Sequence, residues 1–237
     1  MTIVPTFLGA HSVPPETTRS DYVDLLVNEM IPEIGRQKLA QFCDVFCENF
    51  VFNAAESRRI LEAGKRHGLA PKIHADEIET SGGAETAAEV GAVSAEHLLM
   101  PSEMGLQAMR DKGVIAVLLP GTSFFLQSRA APVARMRELG ITIALGSDFN
   151  PGSCTALAMP LVVSLACLHY GMTIEEAILG ATLNAARALK LDLCKGSLEP
   201  GKDADILVLD IPNYRHLPYR LGHNPVRTVI LRGEIAR

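Results

Sequence analysis

Short apolar runs recur along this chain, and most of them do not alternate with polar residues. Ile3 to Gly9, Phe42 to Cys47, Pro71 to Ala75, Val93 to His97, Val114 to Leu119 and Ile141 to Gly146 form the set. A non-alternating apolar run is what a parallel strand covered on both faces requires. The stretches between them carry helix punctuation. Asn53 and Glu56 have capping-box spacing, and Gly68 follows the end of that predicted helix. Its inward side carries Ile60 and Leu61, with Arg58, Arg59 and Lys65 toward water. Ser102 caps the next helix, which stops before Gly113. Gly140 ends another, and Thr173 with Glu176 repeats the capping box.

Strand, loop and helix repeated in this way predict parallel βαβ units with right-handed crossovers, an α/β fold of the TIM-type (β/α)8 kind. A full barrel has eight units and about 250 residues. The units in this sequence number six and are used up near Leu189, so an incomplete barrel is expected over 1–195. From Gly196 the character changes. Turn-rich Gly196 to Asp205 leads into two β-type segments, Ile206 to Leu209 and Val226 to Leu231, which predicts a small β-rich segment over 196–237.

Composition narrows the function classes. Net charge is −5 with scattered basic residues, so no nucleic-acid partner is expected. The longest apolar runs fall well short of the roughly 20 residues that span a bilayer, so no membrane partner is expected either. Met1 to Ala10 lacks a basic start and a cleavage site, and five dispersed cysteines suit reduced thiols in the cytoplasm. Cys43 and Cys47 sit on one predicted strand, where four residues span about 13 Å. Two thiolates that far apart cannot share a zinc with bonds of roughly 2.3 Å, so both read as buried packing groups.

Candidate chemistry collects at the carboxyl ends of the predicted strands, where parallel α/β barrels place their active sites. His74 ends Lys72-Ile-His74 and precedes Asp76 and Glu77; His97 ends Val93-Ser-Ala-Glu-His97; Asp148 follows the run Ile141 to Gly146. An imidazole and a carboxylate are first-choice ligands for zinc or ferrous iron, which makes His74 and Asp148 a candidate pair for one divalent metal. Asp148 would also accept a proton. His97 can stabilise an oxyanion or orient water, or else bond a neighbouring loop. Glu77 can move protons at a nitrogen-containing substrate, or else cap the helix that follows it. His11, in a loop stiffened by Pro14 and Pro15, and Asn150, Gly152 and Ser153 beyond Asp148, suit substrate contacts. His67 and His169 read as surface residues, and His216 and His223 as part of the tail's packing.

These elements together resemble a known family. Thr6-Phe-Leu-Gly-Ala-His11, Asp44-Val-Phe-Cys-Glu48, His74-Ala-Asp-Glu77, Glu96-His97, Leu119-Pro-Gly121, Gly146-Ser-Asp-Phe-Asn-Pro-Gly-Ser153 and Tyr219-Arg-Leu-Gly222 are similar to the amidohydrolase superfamily and, within it, to the imidazolonepropionase family of histidine degradation. The resemblance implies metal-dependent hydrolysis of a cyclic amide C–N bond, 4-imidazolone-5-propanoate and water giving N-formimino-L-glutamate. It implies His74 and Asp148 as ligands of zinc or iron; Glu77, His97 and Asp148 as catalytic residues; and His11, Glu77, Asn150, Gly152 and Ser153 as substrate contacts. A homodimer and a sandwich domain built from both chain ends are further implications. Another cyclic amidohydrolase or aminohydrolase acting on a heterocyclic base is the alternative substrate class. The superfamily's His-x-His pair occurs nowhere in the sequence, so the chain resembles the later part of the family. A catalytically silent, truncated chain is therefore a further reading, and the strand at Ile206 to Leu209 is expected to lack partners.

Overall fold

The computed structural model describes residues 2–236. Six parallel strands run in chain order: β1 (Thr6–Ala10), β2 (Phe42–Cys47), β3 (Ala70–Ala75), β4 (Ser94–His97), β5 (Ile115–Leu118) and β6 (Ile143–Leu145). Every predicted strand is present, with its ends moved by up to three residues. The first begins at Thr6 rather than Ile3, and the last is only the buried Ile143-Ala-Leu145. By internal contacts the chain divides into two units. One holds Thr2–Ala116 and Met136–Thr142, the other Val117–Arg135 and the residues from Ile143 onward.

In the first unit, α1 (Arg19–Leu25) passes through a wide π turn at Leu26–Met30 into α2 (Ile31–Gln37), and α3 (Ala54–Arg66), α4 (Gly83–Val90) and α5 (Glu103–Lys112) follow β2, β3 and β4. The caps are those the sequence predicts. Asn53 accepts from the Glu56 amide while the Glu56 carboxylate accepts from the Asn53 amide, and the Ser102 hydroxyl accepts from the Gly105 amide. Ile60 and Leu61 are fully buried. Gly64 lets α3 lie against β2. A Cβ there would come within 2.8 Å of the Cys43 Cβ, closer than packed atoms tolerate.

The register aligns Phe46 with His74 and His74 with Glu96. Alternation along each strand then separates two faces. Cys43, Val45, Cys47, Ile73, Ala75 and Ala95 form an apolar side that is essentially closed to water. Phe42, Asp44, Phe46, Lys72, His74, Ser94 and Glu96 form the other, and this face carries the chemistry.

Cys43 and Cys47 are buried free thiols, as expected from their spacing. Burial, with the Asp44 carboxylate adding to it, pushes Cys43 up to about 12. Burial likewise pushes Cys47 up to about 11. Both should resist iodoacetamide at pH 8 in the native chain and label fully in denaturant, as read by peptide mass spectrometry. Equal labelling in both states would contradict this packing. The sign for stability follows. These neutral thiols contribute in full below the unfolded value of about 8.5, and the contribution is lost as pH rises toward the folded values.

In the second unit lie α6 (Pro120–Phe125), α7 in part (Val133–Leu139), α8 (Met159–Leu168), α9 (Ile174–Ala181) and α10 (Leu183–Ala188), then β7 (Ile206–Leu209), α11 (His216–Tyr219), β8 (Val226–Leu231) and β9 (Glu234–Ile235). Thr173 and Glu176 make the predicted capping box. The expectation that Ile206–Leu209 lacks a partner is corrected. This strand pairs antiparallel with β8, which pairs with β9, so the tail builds its own three-stranded sheet. His223 is exposed, against the expectation that it belongs to the tail's packing. Among the described residues no helix is long and apolar enough to cross a membrane.

Candidate active site

Three imidazoles gather at the carboxyl ends of β1, β3 and β4. The His11 ring lies 4.4 Å from that of His74, nearly perpendicular to it, and stacks on Phe46 at 5.3 Å. His97 lies 5.2 Å from His74. Glu77 approaches from the loop after β3, its Oε1 3.5 Å from His97 Nδ1. That contact is no salt bridge. Burial holds the His97 imidazole well below its usual value, helped by the neighbouring His74 and His11, so the ring is neutral near pH 7.

Left-handed backbone recurs at or just past the ends of β3, β4 and β6, each taken within its own unit. Asp76, His97 and Asp148 have φ of 51°, 69° and 50°. Non-glycine residues pay for this conformation, and it clusters at functional turns.

The helix-capping role open to Glu77 belongs instead to Asp76. Its buried carboxylate accepts from the amides of Ser81, Gly83 and Ala84 at the start of α4. Glu48, also fully buried, accepts from the amides of Glu77 and Ile78 at 2.8 and 2.9 Å and from the Ser81 hydroxyl at 3.1 Å. Burial raises both carboxyls despite these bonds. Two buried acids thus hold the loop that presents Glu77.

Beneath His74, Lys72 Nζ donates to Ser94 Oγ at 2.6 Å and pairs with Glu96 Oε1 at 3.1 Å. The Ser94 hydroxyl also donates to Glu96, and the Lys72 ammonium sits 5.1 Å from the centre of the Phe42 ring. Sequence reading assigned no role to Asp44, Glu48, Lys72 or Glu96. For Asp44, Lys72 and Glu96 the signal is charge inside otherwise apolar strand runs, which a buried strand does not tolerate without partners; Glu48, one residue past β2, carries no such signal.

Asp148 is described within the second unit. The Thr122 hydroxyl donates to its Oδ2 at 2.5 Å. Asn150 organises the loop after it. Its side-chain amide donates to the Asp148 carbonyl and to Ser153 Oγ, and its Oδ1 accepts from the amides of Gly152 and Ser153. The amide offered for substrate contact is therefore turned into its own loop, while Gly152 lies exposed and Ser153 half-buried.

A model of the amidohydrolase family matches residues 48–236. The chain belongs to the amidohydrolase family. Among curated amidohydrolases it is 55% identical over 235 residues to the imidazolonepropionase of Geobacillus kaustophilus, covering 98% of this chain and 55% of that protein. It is 52% identical over 241 residues to the imidazolonepropionase of Symbiobacterium thermophilum, covering 99% of this chain and 56% of that one. The chain thus spans about half the length of the curated relatives it matches. Among solved structures, a zinc-bound adenosine deaminase from Xanthomonas campestris superposes with a TM-score of 0.73 at 19% identity, over 96% of this chain and 59% of that one. A triazine hydrolase variant superposes with a TM-score of 0.75 at 14% identity, over 97% and 59%. At such identities these structures establish the fold alone, that of the amidohydrolase barrels.

The family is metal-dependent, and the donors present fit that chemistry in kind. An imidazole and a carboxylate both suit zinc or iron. His74 already has Nδ1 hydrogen-bonded to Asp44 Oδ1 at 2.8 Å, the arrangement common to ligating imidazoles. Among the described residues, Asp44, His74 and Glu96 also bring ligand atoms within 4.8 Å of one another. That trio is spoken for, because Glu96 is paired with Lys72 and Ser94.

Proposed function

We propose that this amidohydrolase supplies the catalytic groups for opening the ring of 4-imidazolone-5-propanoate, the hydrolysis that yields N-formimino-L-glutamate. The observation carrying this reading is identity of 50–55% to imidazolonepropionases along essentially the whole chain. The family resemblance assigns His74 and Asp148 as the residues that would hold one divalent cation, zinc or iron, and that cation would supply Lewis acidity. Glu77 takes a proton from the attacking water and delivers it to the ring nitrogen as the C–N bond breaks. Neutral His97 donates a hydrogen bond to the carbonyl oxygen as negative charge develops there. Asp148 takes the second proton of that water, which passes to solvent as the product carboxyl group ionises. His11, with the loop of Asn150, Gly152 and Ser153, bounds the substrate, Asn150 by shaping that loop. The same reading takes 1–195 as barrel, 196–237 as part of a composite sandwich domain, and the working enzyme as a cytoplasmic homodimer.

The test is a ring-opening assay on the purified chain, with a panel of nucleobases in parallel. Imidazolone propionate should be consumed with formation of formiminoglutamate, and Glu77→Gln should lower kcat by about 10²–10⁴-fold. Turnover of nucleobases alone, or full activity in Glu77→Gln, would refute the assignment.

A further inference from the structure

We propose that Asp44 is a positioning residue: it fixes which ring nitrogen of His74 carries the proton and thereby which one is offered to a metal. The inference rests on the reading of His74 as a ligand. Asp44 lies on β2 with its side chain only 4% exposed, and its Oδ1 is 2.8 Å from His74 Nδ1. At that separation the contact is a hydrogen bond. Two ligands on one zinc, each about 2.0–2.1 Å from it, would stand further apart. Asp44 therefore does not act as a ligand beside Nδ1.

The direction of the bond follows from chemistry. An ionised carboxylate can only accept, and a neutral imidazole has one N–H to give. The proton goes to Nδ1, and the lone pair is left on Nε2. The surroundings reinforce this arrangement. The bonded side chains are themselves largely buried, Asp44 at 4% and His74 at 14% exposure, so the bond acts in a low-dielectric setting. The acid nearest in kind, Glu96, is engaged by the Lys72 ammonium, the Ser94 hydroxyl and the Ile73 amide. β2 thus reaches the site without touching a reacting atom. Asp44 sets the imidazole, and four residues on Glu48 sets the Glu77 loop.

The experiment uses the ¹⁵N-labelled 237-residue chain, with His74 ring signals assigned by comparison with His74→Gln. Long-range ¹H–¹⁵N spectra of the metal-free wild type should show the Nδ1–H tautomer. In Asp44→Asn, whose amide can donate as well as accept, a substantial Nε2–H population should appear. The wild-type spectrum needs no variant to fold, and an Nε2–H tautomer in it overturns the proposal. Competition against a chelator with Zn²⁺ alone then reads the consequence. Asp44→Asn should bind about 10–100-fold more weakly than wild type. Unchanged affinity in Asp44→Asn overturns the proposed consequence for the metal. Failure of His74→Gln to weaken zinc binding sinks the ligand reading of His74 while leaving the tautomer result to stand on its own.

Discussion

Replacing Lys72 with methionine should destabilise the chain by about 3–5 kcal/mol, while the double variant Lys72→Met with Glu96→Gln should recover most of that loss. Lys72 and Glu96 are 7% and 8% exposed and bond to one another and to Ser94. Losing the ammonium leaves a carboxylate in the interior with no counter-charge. The desolvation cost of the orphaned ion then exceeds anything the methionine gains by packing. Neutralising Glu96 in the second step removes the ion, and the glutamine can still accept from the Ile73 amide and bond Ser94. Urea unfolding followed by circular dichroism measures both variants. A single variant within about 1 kcal/mol of wild type would show that water reaches this pair after all.

Glu48→Ala should be the most damaging change among residues that touch no substrate. It strips the acceptor from the Glu77 and Ile78 amides, while the Ser81 hydroxyl keeps the Cys47 carbonyl as its acceptor. Each buried polar group left without a partner costs about 1–3 kcal/mol, so the loop should re-form in contact with water instead. Misplacing a catalytic group by about 1 Å can cost on the order of 10²-fold in rate, and kcat should fall by that amount through Glu77. Glu48→Gln is the control. Its carbonyl oxygen can accept both amides and its NH₂ can donate to the Ser81 hydroxyl, so it should stay near wild type. Amide hydrogen exchange at Glu77 and Ile78 reads the loop independently of turnover. Protection should vanish in Glu48→Ala and persist in Glu48→Gln. Protection lost equally in both variants would mean that charge, not hydrogen-bond geometry, holds the loop.

A third position tests the same loop from the helix side. A Cβ on Gly83 would meet the Ala75 Cα and Cβ at 2.7 Å and the Asp76 amide nitrogen at 3.1 Å. The clash is largely with backbone, so no rotamer change relieves it. Gly83→Ala should cost about 1–3 kcal/mol by thermal unfolding and loosen Asp76.

Local chemistry explains why so much was legible in the chain. Caps such as Asn53 with Glu56 and Thr173 with Glu176 act within a few residues, so their spacing is enough to predict them. The strands at Phe42–Cys47, Ile206–Leu209 and Val226–Leu231 stand where their apolar runs stand. His74, Glu77 and His97 could be singled out because each closes or follows such a run. The helical stretch from Arg19 to Gln37 is not legible locally, because the π turn at Leu26–Met30 interrupts its hydrophobic stripe.

The linear chain by itself determined the kinds of element, their order and the strand ends where chemistry would gather, because periodicity and capping are short-range effects. Tertiary structure decided which face of each strand turns toward His74, that Asp44 rather than a neighbour holds its ring, and that Asp76 caps a helix while Glu48 carries the Glu77 loop. It also paired β7 with β8 across an intervening stretch that contains a helix of its own. Those outcomes depend on parallel register and on burial, which are set by residues distant in sequence, and no local pattern encodes them.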